Sequence, residues 1–406
     1  AHNRIRIREH GFLIREEQAS NLPAGRCAAI PSSAFDYLSQ LLAKEEARTV
    51  ADEHHFFLSR TTWRGRDALK VRSHVGVLQT PCGACIEILP KAANSEGLDE
   101  SSQVLVRMLH CLRSAPFRAG GEAQLQSQRM PLVEVFLGYF LREIDQLVKR
   151  GIRSDYLGEE ENLRFLKGKL LLGKHLRANA VQQHRFFCSY DAYLLNRPEN
   201  RLIRTALAKV LKLCRSRENE RLARGLVFAF QDVPVSQDIA GDLARCRFNR
   251  GMAHYQNPLA WCRMILREEA TVPASGSKRT ISLLFPMEKV FEDYVARLLE
   301  RTDSVHDLRC QAGSKWLVEA PRKKFQMRPD FLFWLDNQFV VGDAKWKLAD
   351  QDAQDGKFGV SQADLYQLYA YGHKYLRDRK GRLFIFYPET FAFHERQNLE
   401  YEPGLN

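Results

Sequence analysis

The stretch Arg328-Pro-Asp-Phe-Leu-Phe-Trp-Leu-Asp-Asn-Gln-Phe-Val-Val-Gly-Asp-Ala-Lys-Trp-Lys347 constrains this chain more than any other. Two apolar runs rich in Phe, Val and Trp flank Asp336-Asn337-Gln338, the pattern of a β-hairpin. Inside those runs sit Asp330, Asp343 and Lys345, where a strand serving structure alone has little use for charge. With Asn337-Gln338 as a two-residue turn, position 330 falls opposite 345, and strand alternation puts Asp343 and Lys345 on one face. Opposed Cβ atoms lie about 5 Å apart and diagonal neighbours about 7–8 Å, so two carboxylates and one ammonium share a patch. A three-residue loop would turn Asp330 to the other face unless a bulge intervened. Clustered carboxylates suit a hard divalent cation, Mg2+ with retained waters and Mn2+ as a substitute. Such an ion polarises a phosphoryl oxygen and acidifies a bound water, while a lysine steadies developing charge or orients that water.

Pro329-Asp330 followed by Asp343-Ala344-Lys345 resembles the PD-(D/E)xK nuclease motif. On that short motif alone, an exposed hairpin with incidental charges stays open. Two flanking segments favour the nuclease. In Asp364-Leu-Tyr-Gln-Leu-Tyr-Ala-Tyr371 the spacing is helical, and Gln367 and Tyr371 at i and i+4 project from one side. This resembles the Q-x-x-x-Y element that lies beside the metal site and touches the DNA strand in one branch of these nucleases. For Tyr366 and Tyr369 an ordinary core role remains an alternative. Upstream, Met287 to Leu299 reads as a helix with Phe291, Val295 and Leu298 along one stripe. Glu292 flanks the stripe, where many members of that superfamily carry an acidic residue.

Composition bounds the rest. A 406-residue chain, 45% hydrophobic, is long enough for two or three domains with real cores. A formal charge of +12, spread through folded-looking segments with clusters at Arg322-Lys-Lys324 and Arg377 to Arg382, fits a polyanionic partner. No stretch approaches the roughly 20 apolar residues needed to span a membrane. The early residues Arg4, Arg6, Arg8 and Glu9 show no secretory signal. Nine scattered cysteines point to a reducing, cytoplasmic setting. Cys82-Gly-Ala-Cys85 has no second C-x-x-C or C-x-x-H to complete a zinc site, so plain structural thiols are expected. Some nucleases with the Q-x-x-x-Y element bind an iron–sulfur cluster through later cysteines; none follows Cys310 here. No G-x-x-x-x-G-K-[ST] loop occurs, so the chain is expected to lack a nucleotide site of its own.

The expected organisation is multidomain α+β in three parts. Residues 1–97 hold short β-like runs (Ala28–Ile30, Thr49–Ala51, His55–Leu58, Ala68–Val71, Val75–Leu78, Ile86–Leu89) and one amphipathic helix between Ala34 and Lys44. Ala92 to Gln103 reads as a polar linker. Residues 98–278 form a largely helical middle domain, with helices at Gln103–Arg113, at Pro131–Arg150 capped by Gly151, and from Asn196 to Leu211, plus the basic segment Leu163–Arg177. A boundary at Ala270–Lys278 precedes an α/β nuclease domain, 279–406.

Taken in order, Val75-Gly-Val-Leu, Ile86-Glu-Ile-Leu-Pro-Lys91, Leu166-Lys-Gly-Lys-Leu170, Asn196 with Glu199-Asn-Arg-Leu-Ile203, the hairpin and Asp364-Leu-Tyr-Gln-Leu resemble the McrC family over nearly the whole chain. McrC is the nuclease subunit of the McrBC modification-dependent, 5-methylcytosine restriction system. The resemblance implies a McrB-type AAA+ GTPase hexamer as partner, double-stranded DNA as substrate and no membrane. It also implies a middle part that enters the ring and stimulates GTP hydrolysis, with Lys167, Lys169, Lys174 and Arg177 either approaching ring or DNA or forming a solvated basic face. It implies Asp330, Asp343 and the Ala344 carbonyl as metal ligands, Lys345 as electrostatic stabiliser, Glu292 as an acid further from the metal, and Gln367 and Tyr371 as supports of the site or the DNA. Residues 1 to about 95 look like an extension found in longer relatives. Two other readings stay open: a nuclease with a different partner or none, in repair or phage defence, and a non-catalytic scaffold that regulates a GTPase.

Overall fold

The computed structural model describes residues 4–18, 22–23, 25–48, 56–91, 97–112, 130–182, 184–246, 250–266, 281–350, 357–377, 380–390, 392–395 and 397–398. Their contacts divide the chain into two compact units, residues 1–132 with 280–406, and residues 133–279.

The first unit opens with β1 (Arg4–Arg8), Arg-Ile-Arg-Ile-Arg, whose alternation buries Ile5 and Ile7. Arg4 and Arg6 pair with the buried carboxylate of Glu87. β2 (Phe12–Arg15), β3 (Cys27–Ile30), α1 (Ser32–Arg48), β4 (Leu58–Trp63) and β5 (Arg66–Val71) follow, with the four strands ordered β3-β2-β5-β4. β6 (His74–Gln79) and β7 (Cys85–Leu89) form the expected hairpin. Both are buried almost throughout, because they occupy the middle of a second sheet, β1-β7-β6-β11.

That last strand, β11 (Ile281–Pro286), overturns the division at 278. It pairs antiparallel with β6, so the segment that opens the C-terminal part completes the N-terminal sheet. Gly76 permits the pairing: at φ 132 its position leaves no room for a Cβ, which would stand 2.0 Å from the Leu283 carbonyl oxygen. The N-terminal and C-terminal thirds therefore fold as one unit. The linker expected at 92–103 is also shorter than drawn, because α2 (Leu98–Leu109) begins inside it. The strand expected at Thr49–Ala51 and the boundary at Ala270–Lys278 lie outside the described residues.

The second unit is largely helical, with one small sheet. It comprises α3 (Leu132–Arg150), β8 (Asp155–Leu163), β9 (Lys169–Leu170), α4 (Leu172–Ala178), β10 (Phe186–Leu194), α5 (Pro198–Leu213), α6 (Arg217–Ala229), α7 (Ile239–Arg245) and α8 (Gln256–Ile265), with strand order β8-β10-β9. As expected, Gly151 ends α3 with positive φ, its N–H closing on the Val148 carbonyl. Phe136, Phe140, Leu202, Leu207 and Trp261 are fully buried in this unit. The Asn-Arg pair in Glu199-Asn-Arg-Leu-Ile203 is structural. Buried Asn200 donates to the carbonyls of Arg153 (2.8 Å) and Leu195 (2.9 Å) and accepts from the Tyr255 hydroxyl (2.8 Å). Arg201 forks onto the buried Asp242 at 3.0 and 2.5 Å.

After β11 the first unit continues with α9 (Met287–Glu300), β12 (Val305–Cys310), β13 (Lys315–Val318), β14 (Lys324–Met327), β15 (Phe331–Leu335), β16 (Gln338–Ala344), α10 (Gln362–Tyr375) and β17 (Gly381–Phe386). The third four-stranded sheet runs β12-β15-β16-β17, with β13 and β14 forming a separate two-stranded hairpin. α10 crosses between β16 and β17, which lie parallel. The β15–β16 turn is Asp336-Asn337, both at positive φ (47° and 62°), the conformation of a tight hairpin turn. The expected turn was one residue later. The ladder is therefore offset by two residues, Leu335 facing Gln338 and Phe331 facing Gly342. An offset of two preserves the faces, so Asp330, one residue beyond the ladder, comes level with Asp343 instead of Lys345. Among the described residues, no helix is long and apolar enough to cross a membrane.

Candidate active site

Asp343 lies near the C-terminal end of β16, buried, with Lys345 just past it. The Lys345 Nζ stands 2.6 Å from Asp343 Oδ2 and donates to Gln367 Oε1 at 2.9 Å. Gln367 Nε2 donates to the Tyr371 hydroxyl (2.8 Å), which donates to the Arg328 carbonyl (3.2 Å). Asp330 accepts the Ala344 N–H on Oδ2 at 2.7 Å. Its Oδ1 accepts from Gln311 Nε2 (2.8 Å), and that same amide donates to Glu292 Oε1 (2.9 Å). Lys289 also donates to Glu292, at 2.9 Å. The hairpin, α9 and α10 thus bring the anticipated residues into two hydrogen-bonded chains, Asp343–Lys345–Gln367–Tyr371 and Ala344–Asp330–Gln311, which meet where Asp343, Ala344 and Lys345 follow one another along the strand. Glu292 joins the second at one remove, through Gln311 on the turn after β12.

The electrostatics separate the roles. Burial, then the neighbouring Asp343 and then Glu292 raise the Asp330 carboxyl to about 7, against the opposing pull of the Ala344 N–H and Lys345. Burial acts to lower the Lys345 ammonium, but its hydrogen bond to Asp343 and the charges of Asp343, Asp364 and Asp330 hold it above its ordinary value. These contacts favour the ammonium form of Lys345. Burial raises the Tyr371 phenol, which remains a donor.

Buried Asp343 and half-buried Asp330 lie level with one another, and burial together with the Asp343 charge raises the Asp330 carboxyl, a repulsion that a divalent cation would relieve. Among the described residues, no three or more His, Cys, Asp or Glu side chains are grouped to hold a metal. The two carboxylates of Asp330 and Asp343 are oxygen donors of the kind a hard divalent ion that keeps waters accepts.

Several contributors were not visible in the sequence. Trp346 and Lys347, which had no expected role, are both engaged. Lys347 donates to Asp364 (2.6 Å) and Ser361 (3.2 Å) at the start of α10, where Ser361 caps the helix through the Asp364 N–H. These contacts outweigh burial and hold the Asp364 carboxyl below its ordinary value. The buried Trp346 indole donates to Glu9 Oε1 at 2.5 Å, across 337 residues of sequence. Glu9 Oε1 also accepts the Lys91 N–H (2.9 Å), and Lys91 Nζ donates to the Trp346 carbonyl (3.2 Å). Phe291 packs on the same indole, ring centroids 5.2 Å apart. The residue next to the site lysine is therefore held, by side chain and by carbonyl, from the N-terminal sheet. Tyr366 and Tyr369 are not core residues, at 64% and 45% exposed. Cys82 sits exposed in the β6–β7 turn beside the Thr80 hydroxyl (3.1 Å), and Cys85 is buried in β7.

Fold and site together define a multidomain α+β protein carrying a buried carboxylate–lysine centre at the end of a mixed sheet. The chain belongs to the family of McrBC 5-methylcytosine restriction system components, which it matches over residues 69–388. All the site residues from Glu292 to Tyr371 fall within that span, and Glu9 outside it. In fold the chain is similar to a chain of the half-complex from the tetradecameric assembly of Thermococcus gammatolerans McrB AAA+ hexamers with bound McrC. The TM-score is 0.68 at 18% identity, over 97% of this chain and 90% of that one. It is also similar to a chain of the Thermococcus gammatolerans McrBC complex, with TM-score 0.56 and 19% identity over 74% and 88%. No curated protein matches it in sequence.

Proposed function

We propose that the chain is the McrC-type subunit of a modification-dependent restriction complex, a Mg2+-dependent endonuclease of the PD-(D/E)xK kind. It would cut double-stranded DNA in the cytoplasm when assembled with a McrB-type AAA+ GTPase hexamer. The observation that carries this is the convergence of Asp330, Asp343 and Lys345 with Gln367 and Tyr371. Mg2+ held by Asp330, Asp343 and the Ala344 carbonyl would supply Lewis acidity toward the scissile phosphate. Lys345, locked as an ammonium by Asp343, steadies the charge that develops on the phosphoryl oxygens. Gln367, itself fixed by Tyr371, orients Lys345. Gln311 ties Asp330 to Glu292 and limits how far the carboxylate can swing.

Support for the partner lies in the second unit. Phe165, Leu166, Leu172, Leu176 and Val181 are exposed by 60% to 94% within one short stretch around β9 and α4. Apolar exposure of this kind marks a protein-interaction site. Arg164, Lys167, Lys169, Lys174 and Arg177 interleave with it. Two of these lysines are already engaged within the unit. Lys167 stands 3.7 Å over the Tyr190 ring, and Lys174 bonds to Glu160. The test is reconstitution with an AAA+ GTPase of the McrB type. The chain should co-purify with the ring, raise its GTP turnover and cut methylated duplex in its presence; a ring that neither binds the chain nor responds to it would remove the partner assignment.

A further inference from the structure

The hairpin formed by β13 and β14 lies outside the four-stranded sheets, and its base and tip differ in character. The base is pinned to the site. The Tyr375 hydroxyl on α10 reaches the carbonyls of Ala312 (2.7 Å) and Met327 (3.1 Å), one on each side of the hairpin. Gln326 Nε2 donates to the Gly313 carbonyl (2.6 Å), and Arg328 donates to Gln326 at 2.9 and 2.5 Å. The Gln311 N–H donates to the Asp330 main-chain carbonyl at 3.0 Å, joining both ends of the hairpin at a residue of the site.

Beyond that base the hairpin is bare. Residues 319–326 are all exposed. Trp316 faces Gln326 and Val318 faces Lys324, so the register sets Leu317 opposite Phe325. These two are 51% and 71% exposed. Phe325 also has φ 57, a conformation that a bulky side chain rarely adopts and that strained functional positions favour. Between Lys315 and Arg328 there are five basic residues (Lys315, Arg322, Lys323, Lys324, Arg328) and one acidic, Glu319, which pairs with Lys374 on α10. Phe325 is five residues from Asp330, a chain distance of at most ~17 Å. That is about half a turn of duplex DNA.

We infer that this hairpin is a DNA wedge: Arg322, Lys323 and Lys324 bind backbone phosphates, and Phe325, backed by Leu317, inserts at a base step beside the bond to be cut. Charge selects the occupant, since a polyanion complements a cationic tip. The exposed aromatic adds what phosphate contacts lack, because apolar wedges unstack base steps and kink the duplex. The inference rests on the nuclease reading and adds to it the surface that grips the substrate.

The test uses the full chain in EDTA, where cleavage cannot occur, with duplexes carrying 2-aminopurine at successive steps. Wild type should brighten one or two of these probes. Phe325→Ala should abolish the brightening and weaken binding about 5- to 100-fold without altering the salt dependence. Arg322→Ala/Lys323→Ala/Lys324→Ala should weaken binding and flatten the slope of log affinity against log salt by up to about 3. Phe325→Trp should restore the brightening, which separates insertion from loss of fold. If wild type brightens no probe, or Phe325→Ala binds and brightens like wild type, the wedge is overturned. It is equally overturned if Phe325→Ala keeps DNA binding but loses the GTPase ring, since the tip would then be a protein interface. Binding measured without metal is independent of cutting. A chain that wedges DNA but never cleaves it refutes the nuclease alone.

Discussion

Replacing Asp330 by Asn should make the metal-free protein more stable at alkaline pH while disabling it. The folded-state carboxyl sits near 7, against an ordinary 3.8, mainly through burial and the adjacent Asp343. A carboxylate raised in this way binds more protons in the folded state than in the unfolded one between those two values. Stability therefore falls as pH climbs from about 4 to about 7 and is level above that. Between pH 5.5 and 8 the remaining interval is about 1.5 units, worth about 2 kcal/mol at roughly 1.36 kcal/mol per unit. That figure is a ceiling, because water reaches part of the group. Asn keeps an oxygen for the Ala344 N–H and carries no charge, so Asp330→Asn should not show this loss. The assay is thermal unfolding with EDTA or Mg2+ at pH 5.5 and pH 8. Asp330→Asn should gain on wild type by up to a few degrees on moving to pH 8 in EDTA. Mg2+ should stabilise wild type chiefly at pH 8 and leave the variant unmoved. A variant that is less stable than wild type at pH 8 without metal would refute the repelling-carboxylate account of the site.

Other expectations concern the supports and the division of labour. Glu9→Ala strands the Trp346 indole N–H and the Lys91 N–H in a buried place, and should destabilise by about 2–4 kcal/mol in denaturant titrations. Glu9→Gln, which keeps an acceptor, should cost less than about 1 kcal/mol, and equal losses from both would show that Oε1 is not the anchor. The isolated chain should bind duplex DNA weakly, with steep salt dependence and no preference for methylcytosine, as fluorescence anisotropy on matched duplexes would read. A clear methyl preference would move base recognition onto this chain. Charge reversal at Lys167, Lys169 and Lys174 should depress GTPase stimulation before it affects cutting, and Asp330→Ala should do the opposite. The reverse pattern in GTP turnover would end that division.

The hairpin was legible because its information is local. Two apolar runs, a turn and three misplaced charges specify β15, β16 and the site between them, and an error of one turn residue left the faces intact. Gln367 and Tyr371 were legible for the same reason, through helical spacing. What the sequence hid was long-range. Nothing near Ile281 announces that β11 completes the sheet of β6, because the signal is a glycine 205 positions away whose missing Cβ admits the Leu283 carbonyl. Glu9 looked like one more charge in a polar N-terminus, yet it is buried against Trp346. Arg-Ile-Arg-Ile-Arg is an alternating strand, and its charge masked its period. Around Phe325 and Leu317 only the basic cluster Arg322-Lys-Lys324 was legible, and the exposed apolar pair beside it was not.

Cleavage by Asp343→Ala and Lys345→Ala decides the central claim. With the GTPase ring, GTP, Mg2+ and methylated duplex present, wild type should cut, and both variants should bind the ring and stimulate GTP turnover while cutting at least ~100-fold more slowly. Asp343→Ala cutting at the wild-type rate would mean that the hairpin at 328–347 is not where DNA is cut.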